Sequence, residues 1–107
     1  MSAETIQKQD EAFGFEAHHL MLSVRLKSGA VYNFAYGYLI ETRLDGATLT
    51  LDFISREVHI TGRNLMPLSQ YLQGHRLGWV QEQGKRFDVG KTDDTYISQI
   101  LIVNKEN

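Results

Sequence analysis

Residues 31–53 read VYNFAYGYLIETRLDGATLTLDF, and their spacing is that of strands. Tyr32, Phe34, Tyr36, Tyr38 and Ile40 fall on one face at period two, with Val31, Asn33, Ala35, Gly37 and Leu39 on the other. Aromatic side chains suit a pleated, half-buried surface. A strand over 31–44 is long, and a glycine inside a strand marks a bend, a bulge or a close backbone approach. The pattern predicts one strand bent sharply near Gly37, serving two layers of a small barrel. Asp45-Gly46 is a hairpin signal of the type I′ kind, in which both central residues take positive φ. The returning strand then points Leu49, Leu51 and Phe53 inward, with Thr48, Thr50 and Asp52 outside.

Similar spacing extends on both sides. Leu20, Leu22, Val24 and Leu26 alternate with polar residues over 19–27, a half-buried strand that Ser28-Gly29 ends. Beyond a turn at Ser55-Arg56, Val58 and Ile60 point inward. Three strands this close in sequence favour an antiparallel meander. Ile60 to Leu65 then reads as an exposed turn, and the period changes. Leu65, Leu68, Tyr71 and Leu72 share one helical face, with Asn64 placed to cap, Pro67 in the first turn and Gly74 at the stop. Leu77–Gln81 is a short strand or an irregular edge, and residues 83–94 read as a loop. Tyr96–Val103 is a final strand whose last four residues are apolar on both faces. It therefore needs cover on both sides, which a second subunit could supply. Weak helical spacing over 2–16 predicts a short or frayed N-terminal helix that docks one or both of Phe13 and Phe15.

At 107 residues the chain is one domain: a polar N-terminal segment over 1–16 and a β-rich domain over 17–104. It has no cysteine, which removes disulfides, thiol catalysis and thiolate metal sites and favours a reducing cytoplasm. The polar, acidic start lacks the basic-then-apolar order of a signal peptide. No apolar run approaches the roughly 20 residues that cross a bilayer. The net charge of −2 argues against strong non-specific nucleic-acid binding, which draws its affinity from phosphate neutralisation. Between Arg56 and Lys91 six basic residues face three acidic ones, so the second half is mildly basic.

Motifs for catalysis are weak. Gly90-Lys91-Thr92 resembles the end of a phosphate-binding loop, but Lys85 stands where that loop needs glycine, and Asp93-Asp94 would repel phosphate. No two of His18, His19, His59 and His75 have the spacing of a helical metal site. There is no Gly-x-Ser-x-Gly elbow, and no acids are paired by spacing. The expectation is a non-enzymatic protein without metal or cofactor. The row Tyr32, Phe34, Tyr36, Tyr38 could be a stacking platform for single-stranded bases; a core or subunit-interface face is the commoner use of such a row.

The order of these signals resembles the Sm-like (LSm-related) family. Val24-Arg25-Leu26-Lys27-Ser28-Gly29 is similar to the end of that family's first strand, and Gly37-Tyr38-Leu39 to the glycine-x-leucine of its bent second strand. Ile60-Thr61-Gly62-Arg63-Asn64-Leu65 resembles its Ile-Arg/Lys-Gly-x-x-Ile/Val motif. The resemblance spans residues 20–65, with Tyr96–Val103 as a fifth strand. It implies a mainly β protein: a strongly bent five-stranded antiparallel small barrel, with one short helix inserted after the fourth strand. It also implies ring oligomers joined by edge strands, and RNA as the ligand, met here by Arg56, Arg63 and the turn residues Thr61, Gly62 and Asn64. Two departures weigh against RNA. The tight Asp45-Gly46 turn replaces the family's base-reading loop, and Thr61 stands where the family has a basic residue. The expected function is a homo-oligomer with weak RNA binding. The alternative is a protein–protein interaction module on the same architecture, without nucleic acid.

Overall fold

In the computed structural model the extended chain breaks where Gly37 interrupts the aromatic row. The structure describes residues 11–16, 18–84 and 94–105. Among them run β1 (Phe13–Phe15), β2 (Met21–Arg25), β3 (Val31–Ala35), β4 (Leu39–Asp45), β5 (Thr48–Phe53), β6 (Arg56–Arg63), α1 (Met66–Gln73), β7 (Leu77–Gln81) and β8 (Tyr96–Asn104). A single 3-10 turn at Tyr36–Tyr38 separates β3 from β4 and carries the chain from one sheet to the other. Gly37 itself has no positive φ, and nothing lies within 4 Å of where its Cβ would stand. The bend is thus made by the turn and not by a conformation reserved for glycine.

The protein is mainly β, as expected, but the described strands form two four-stranded sheets and not one five-stranded closed barrel. The first sheet has the order β1-β7-β2-β3 and the second β4-β5-β6-β8. Two long-range pairings account for the difference. Strand β7 lies between β1 and β2, parallel to β2, with Ser23 opposite Trp79 and Arg25 opposite Gln81. Strand β8 pairs antiparallel with β6, setting Ile60 against Ile100 and Val58 against Ile102. The meander β4-β5-β6 is antiparallel, as its short connections favour. Phe13–Phe15 is a strand and not the end of a helix: β1 pairs with β7, and the Phe15 ring stacks on Tyr71 at 4.0 Å. Residues 2–10 of the expected N-terminal helix lie outside the described residues.

The two sheets pack face to face over residues that alternate inward. Leu22, Val24 and Val80 come from the first sheet; Leu49, Leu51, Val58, Ile60 and Ile97 come from the second, and all are fully buried. Each such side chain contributes roughly 1.5–3 kcal/mol on removal from water. Phe34 stacks on Phe53 across the layers at 4.6 Å, so much of the aromatic row is core. The row does not keep one face throughout. After the turn and a bulge between Leu39 and Glu41 the inward parity changes, and Tyr38 and Ile40 become exposed while Leu39, Thr42 and Leu44 turn in.

The β4–β5 hairpin also differs in detail. Asp45 pairs with Thr48, so the loop is Gly46-Ala47, and only Gly46 takes a positive φ, of 66°. Glycine at the first central position suits a type II′ turn, not I′. Helix α1 lies where its spacing predicted, with Leu68 and Leu72 buried, and Leu65 buried just before it. Asn64 is not its cap: Leu65 holds that position without a side-chain bond, and Asn64 has φ 56°. Among the described residues no helix is long and apolar enough to cross a membrane.

Candidate functional site

The residues expected to meet RNA all lie on or beside β6: Thr61 to Asn64 are consecutive at its end, and Arg56 stands apart at its start. Arg56 opens the strand opposite Asn104, and Arg63 ends it opposite Tyr96. Seven residues of extended chain separate them by about 23 Å. Arg56 lies over the Tyr32 ring at 5.5 Å, Arg63 over Tyr96 at 5.2 Å. Thr61, Gly62 and Arg63 continue the strand, so the exposed turn expected there begins only at Asn64. Gly62 is required for contact with the neighbouring strand: a Cβ at this position would stand 1.9 Å from the Tyr96 carbonyl oxygen. Its N–H donates to the Ala47 carbonyl at 3.0 Å. The Thr61 carbonyl accepts from Ser98 Oγ at 3.0 Å, and the Asn64 carbonyl from Thr95 Oγ1 at 2.7 Å. Polar main-chain groups of this segment are thus taken up by structure.

The outer face of the second sheet is polar and carries acids. Strand register sets Glu41, Asp52 and Glu57 side by side across β4, β5 and β6. Each has a basic or imidazole neighbour: Arg43 at 3.7 Å from Glu41, Lys105 at 2.5 Å from Asp52, and His59 at 3.0 Å from Glu57. Among the described residues no group of three or more histidines and acids is placed to hold a metal ion. Gly90-Lys91-Thr92 lies outside the described residues.

A groove lies elsewhere, on the first sheet. It measures about 800 Å³ and runs along residues 11–16, with His19, Arg25, Trp79, Asp94 and Thr95 as its other walls. Its floor depends on Gly14. A Cβ there would stand 2.1 Å from Trp79 Nε1, so only glycine lets the indole lie across β1. The Arg25 guanidinium, from the neighbouring β2, stacks over that indole at 4.5 Å. Such a pair holds a planar fork of donors flat and ready for a carboxylate. His19 forms a side wall, with Glu16 Oε1 4.0 Å from its Nε2. The acids Glu11, Glu16 and Asp94 are exposed at the rim.

Among the described residues β1 is the edge of its sheet, and its hydrogen bonding shows which of its main-chain groups face β7. Gln81 N–H donates to the Ala12 carbonyl at 2.7 Å and Glu16 N–H to the Arg76 carbonyl at 3.0 Å. In an antiparallel ladder bonded and non-bonded pairs alternate. The main-chain groups of Ala12, Gly14 and Glu16 therefore face β7, and those of Phe13 and Phe15 face away from it.

Sequence reasoning missed this site because it assigned 2–16 to a helix and left Leu77–Gln81 undecided. The large-small-large order Phe13-Gly14-Phe15, with the chain's single tryptophan, was the available signal. Neither says that the two segments meet, which requires the pairing of β1 with β7.

No family model, curated protein or solved structure matches this chain.

Proposed function

We propose that this protein is a non-catalytic recognition module that takes an extended segment of a partner protein along β1. The observation carrying this reading is that β1 lines the groove and, among the described residues, has a strand neighbour on one side only, with Phe13 and Phe15 main-chain groups facing away from it. Strand addition to such an edge gives affinity through main-chain bonds and specificity through flanking side-chain pockets. The charge arrangement suits a segment with a carboxylate opposite Arg25 and a basic side chain toward Glu16 and Asp94. RNA is not part of this reading. Arg56 and Arg63 stand a strand's length apart, and no single observation favours a nucleic acid.

Trp79 is the only tryptophan, so its emission reports directly on the groove. The test is titration with an acetylated heptapeptide alternating valine with threonine, aspartate and lysine. A saturable change in emission is expected, weakened in Arg25→Gln and lost when the peptide aspartate is replaced by lysine. Emission unchanged at millimolar peptide, or a change indifferent to both replacements, sinks the reading.

A further inference from the structure

We infer that β8 pairs antiparallel with β8 of a second copy of this chain, about a two-fold axis at Ile102. This reading is independent of the β1 groove and rests on a different edge.

Among the described residues strand β8 is the edge of the second sheet, beyond β6. Lys105 N–H donates to the Ser55 carbonyl at 3.0 Å, in register with the pairing of Val103 with Glu57 and Leu101 with His59. Alternation of the ladder therefore turns Leu101 and Val103 main-chain groups toward β6 and those of Ile100, Ile102 and Asn104 outward. The Ile100 N–H confirms the direction, because it reaches away from β6 to Glu82 Oε2 at 3.1 Å.

The chain closes one end of this edge itself. Gln83 N–H donates to the Ile97 carbonyl at 2.8 Å, and Ile97 N–H to Gln83 Oε1 at 2.9 Å. With Ile100 N–H held by Glu82, the outward groups left are the Ile100 carbonyl and both groups of Ile102 and Asn104. None has a hydrogen-bond partner among the described residues.

Edges that stay single are usually protected by charge or proline. The opposite edge, β4, carries Glu41, Arg43 and Asp45. Strand β8 has no charged residue and no proline from Tyr96 to Asn104. On its outer face Leu101 is 52% and Val103 41% exposed.

These features fit a second copy in one register. A two-fold at Ile102 joins its two main-chain groups to those of its symmetry mate and sets each Asn104 N–H against an Ile100 carbonyl. The same operation places Leu101 opposite Val103 of the other copy, twice, so all four exposed apolar side chains cover one another. A two-fold shifted to Val103 would instead set Leu101 against Lys105. Extension past Ile100 is stopped by Glu82 and Gln83. Stable complexes bury roughly 1,200–2,000 Å²; one strand with two exposed apolar side chains from each copy makes a weak contact, so the dimer dissociates on dilution.

The experiment is sedimentation equilibrium of the full chain over a wide concentration range. The expected result is a monomer–dimer equilibrium without higher species. Leu101→Glu and Val103→Lys, both at exposed positions, should each weaken the dimer by roughly tenfold or more, with urea unfolding of the dilute monomer nearly unchanged. The double variant L101E/V103K should recover dimerisation, because the register then sets opposite charges across the two-fold twice. A monomer at every concentration overturns the proposal. So does a dimer indifferent to both single changes, or one that the double change fails to restore. Arg25→Gln should leave the equilibrium untouched, which separates this result from the fate of the peptide-groove reading.

Discussion

The carboxylate of Glu82 accepts the backbone N–H of Ile100 on one oxygen at 3.1 Å, while its other oxygen accepts the N–H of Lys27 at 2.9 Å. Lys27 follows β2 in the first sheet and Ile100 lies in β8 of the second, so one side chain joins the two layers. It also covers an N–H on a sheet edge, which restrains both the fold and the reach of that edge.

Replacing Glu82 should therefore move two properties in opposite directions. Glu82→Ala removes both acceptors and should lower stability by about 1–2 kcal/mol, since hydrogen bonds to a charged group exceed neutral ones. It also releases Ile100 N–H toward Asn104 of a second copy, which lengthens the intermolecular ladder. Urea unfolding of dilute protein should show the loss, and sedimentation at high concentration should show tighter pairing.

Tyr36 offers a pH test with a definite sign. Its hydroxyl donates to the Leu77 carbonyl at 2.7 Å in a buried setting. Burial raises its pKa well above the ordinary tyrosine value, because it disfavours the charged phenolate. Below pH of about 10 the phenol is neutral in both states and adds no pH dependence. Above it the unfolded chain ionises while the folded phenol does not, so stability falls as pH rises. Tyr36→Phe should cost about 1–2 kcal/mol at neutral pH and reduce the alkaline slope. Urea unfolding of both proteins at pH 8 and 10.5 gives the comparison.

Two glycines of the Sm-like resemblance should behave differently. Gly62→Ala drives a Cβ into the Tyr96 carbonyl, backbone against backbone, and should cost about 3 kcal/mol or more. Gly37→Ala meets open space without a positive φ and should stay within about 0.5 kcal/mol of the parent. Equal midpoints in urea would contradict the strand placement of Gly62.

At Gly14 the obstacle is an indole and not backbone, so the side chain can move. Gly14→Ala should lift Trp79 from β1 and disturb its stack with Arg25. The expected reading is a red-shifted, more easily quenched emission with the cooperative unfolding transition retained. Emission identical to the parent would contradict the seat assigned to the indole.

Much of the core was legible because burial in a strand has a period of two. Leu22, Val24, Leu49, Leu51, Val58 and Ile60 follow from that alternation, and Leu68 and Leu72 from the helical period that replaces it. The candidate site was not legible in the same way. Gly14 and Trp79 lie far apart in sequence, and each looks ordinary beside its own neighbours. Gly62 was noticed for a motif, yet its need for a missing side chain comes from Tyr96 on another strand.

The amino-acid sequence alone determined the strands with clear alternation, β2, β5, β6 and β8, the place of the helix and most residues apolar enough to form the core, but not β1 or β7 or the break between β3 and β4. Local periodicity and turn chemistry carry that information within a few residues. Only the tertiary structure decided the order of the strands: β7 between β1 and β2, β8 on the outside of β6, and Glu82 across the seam. Those choices depend on contacts between distant segments, where several pairings satisfy the same local pattern and packing selects among them.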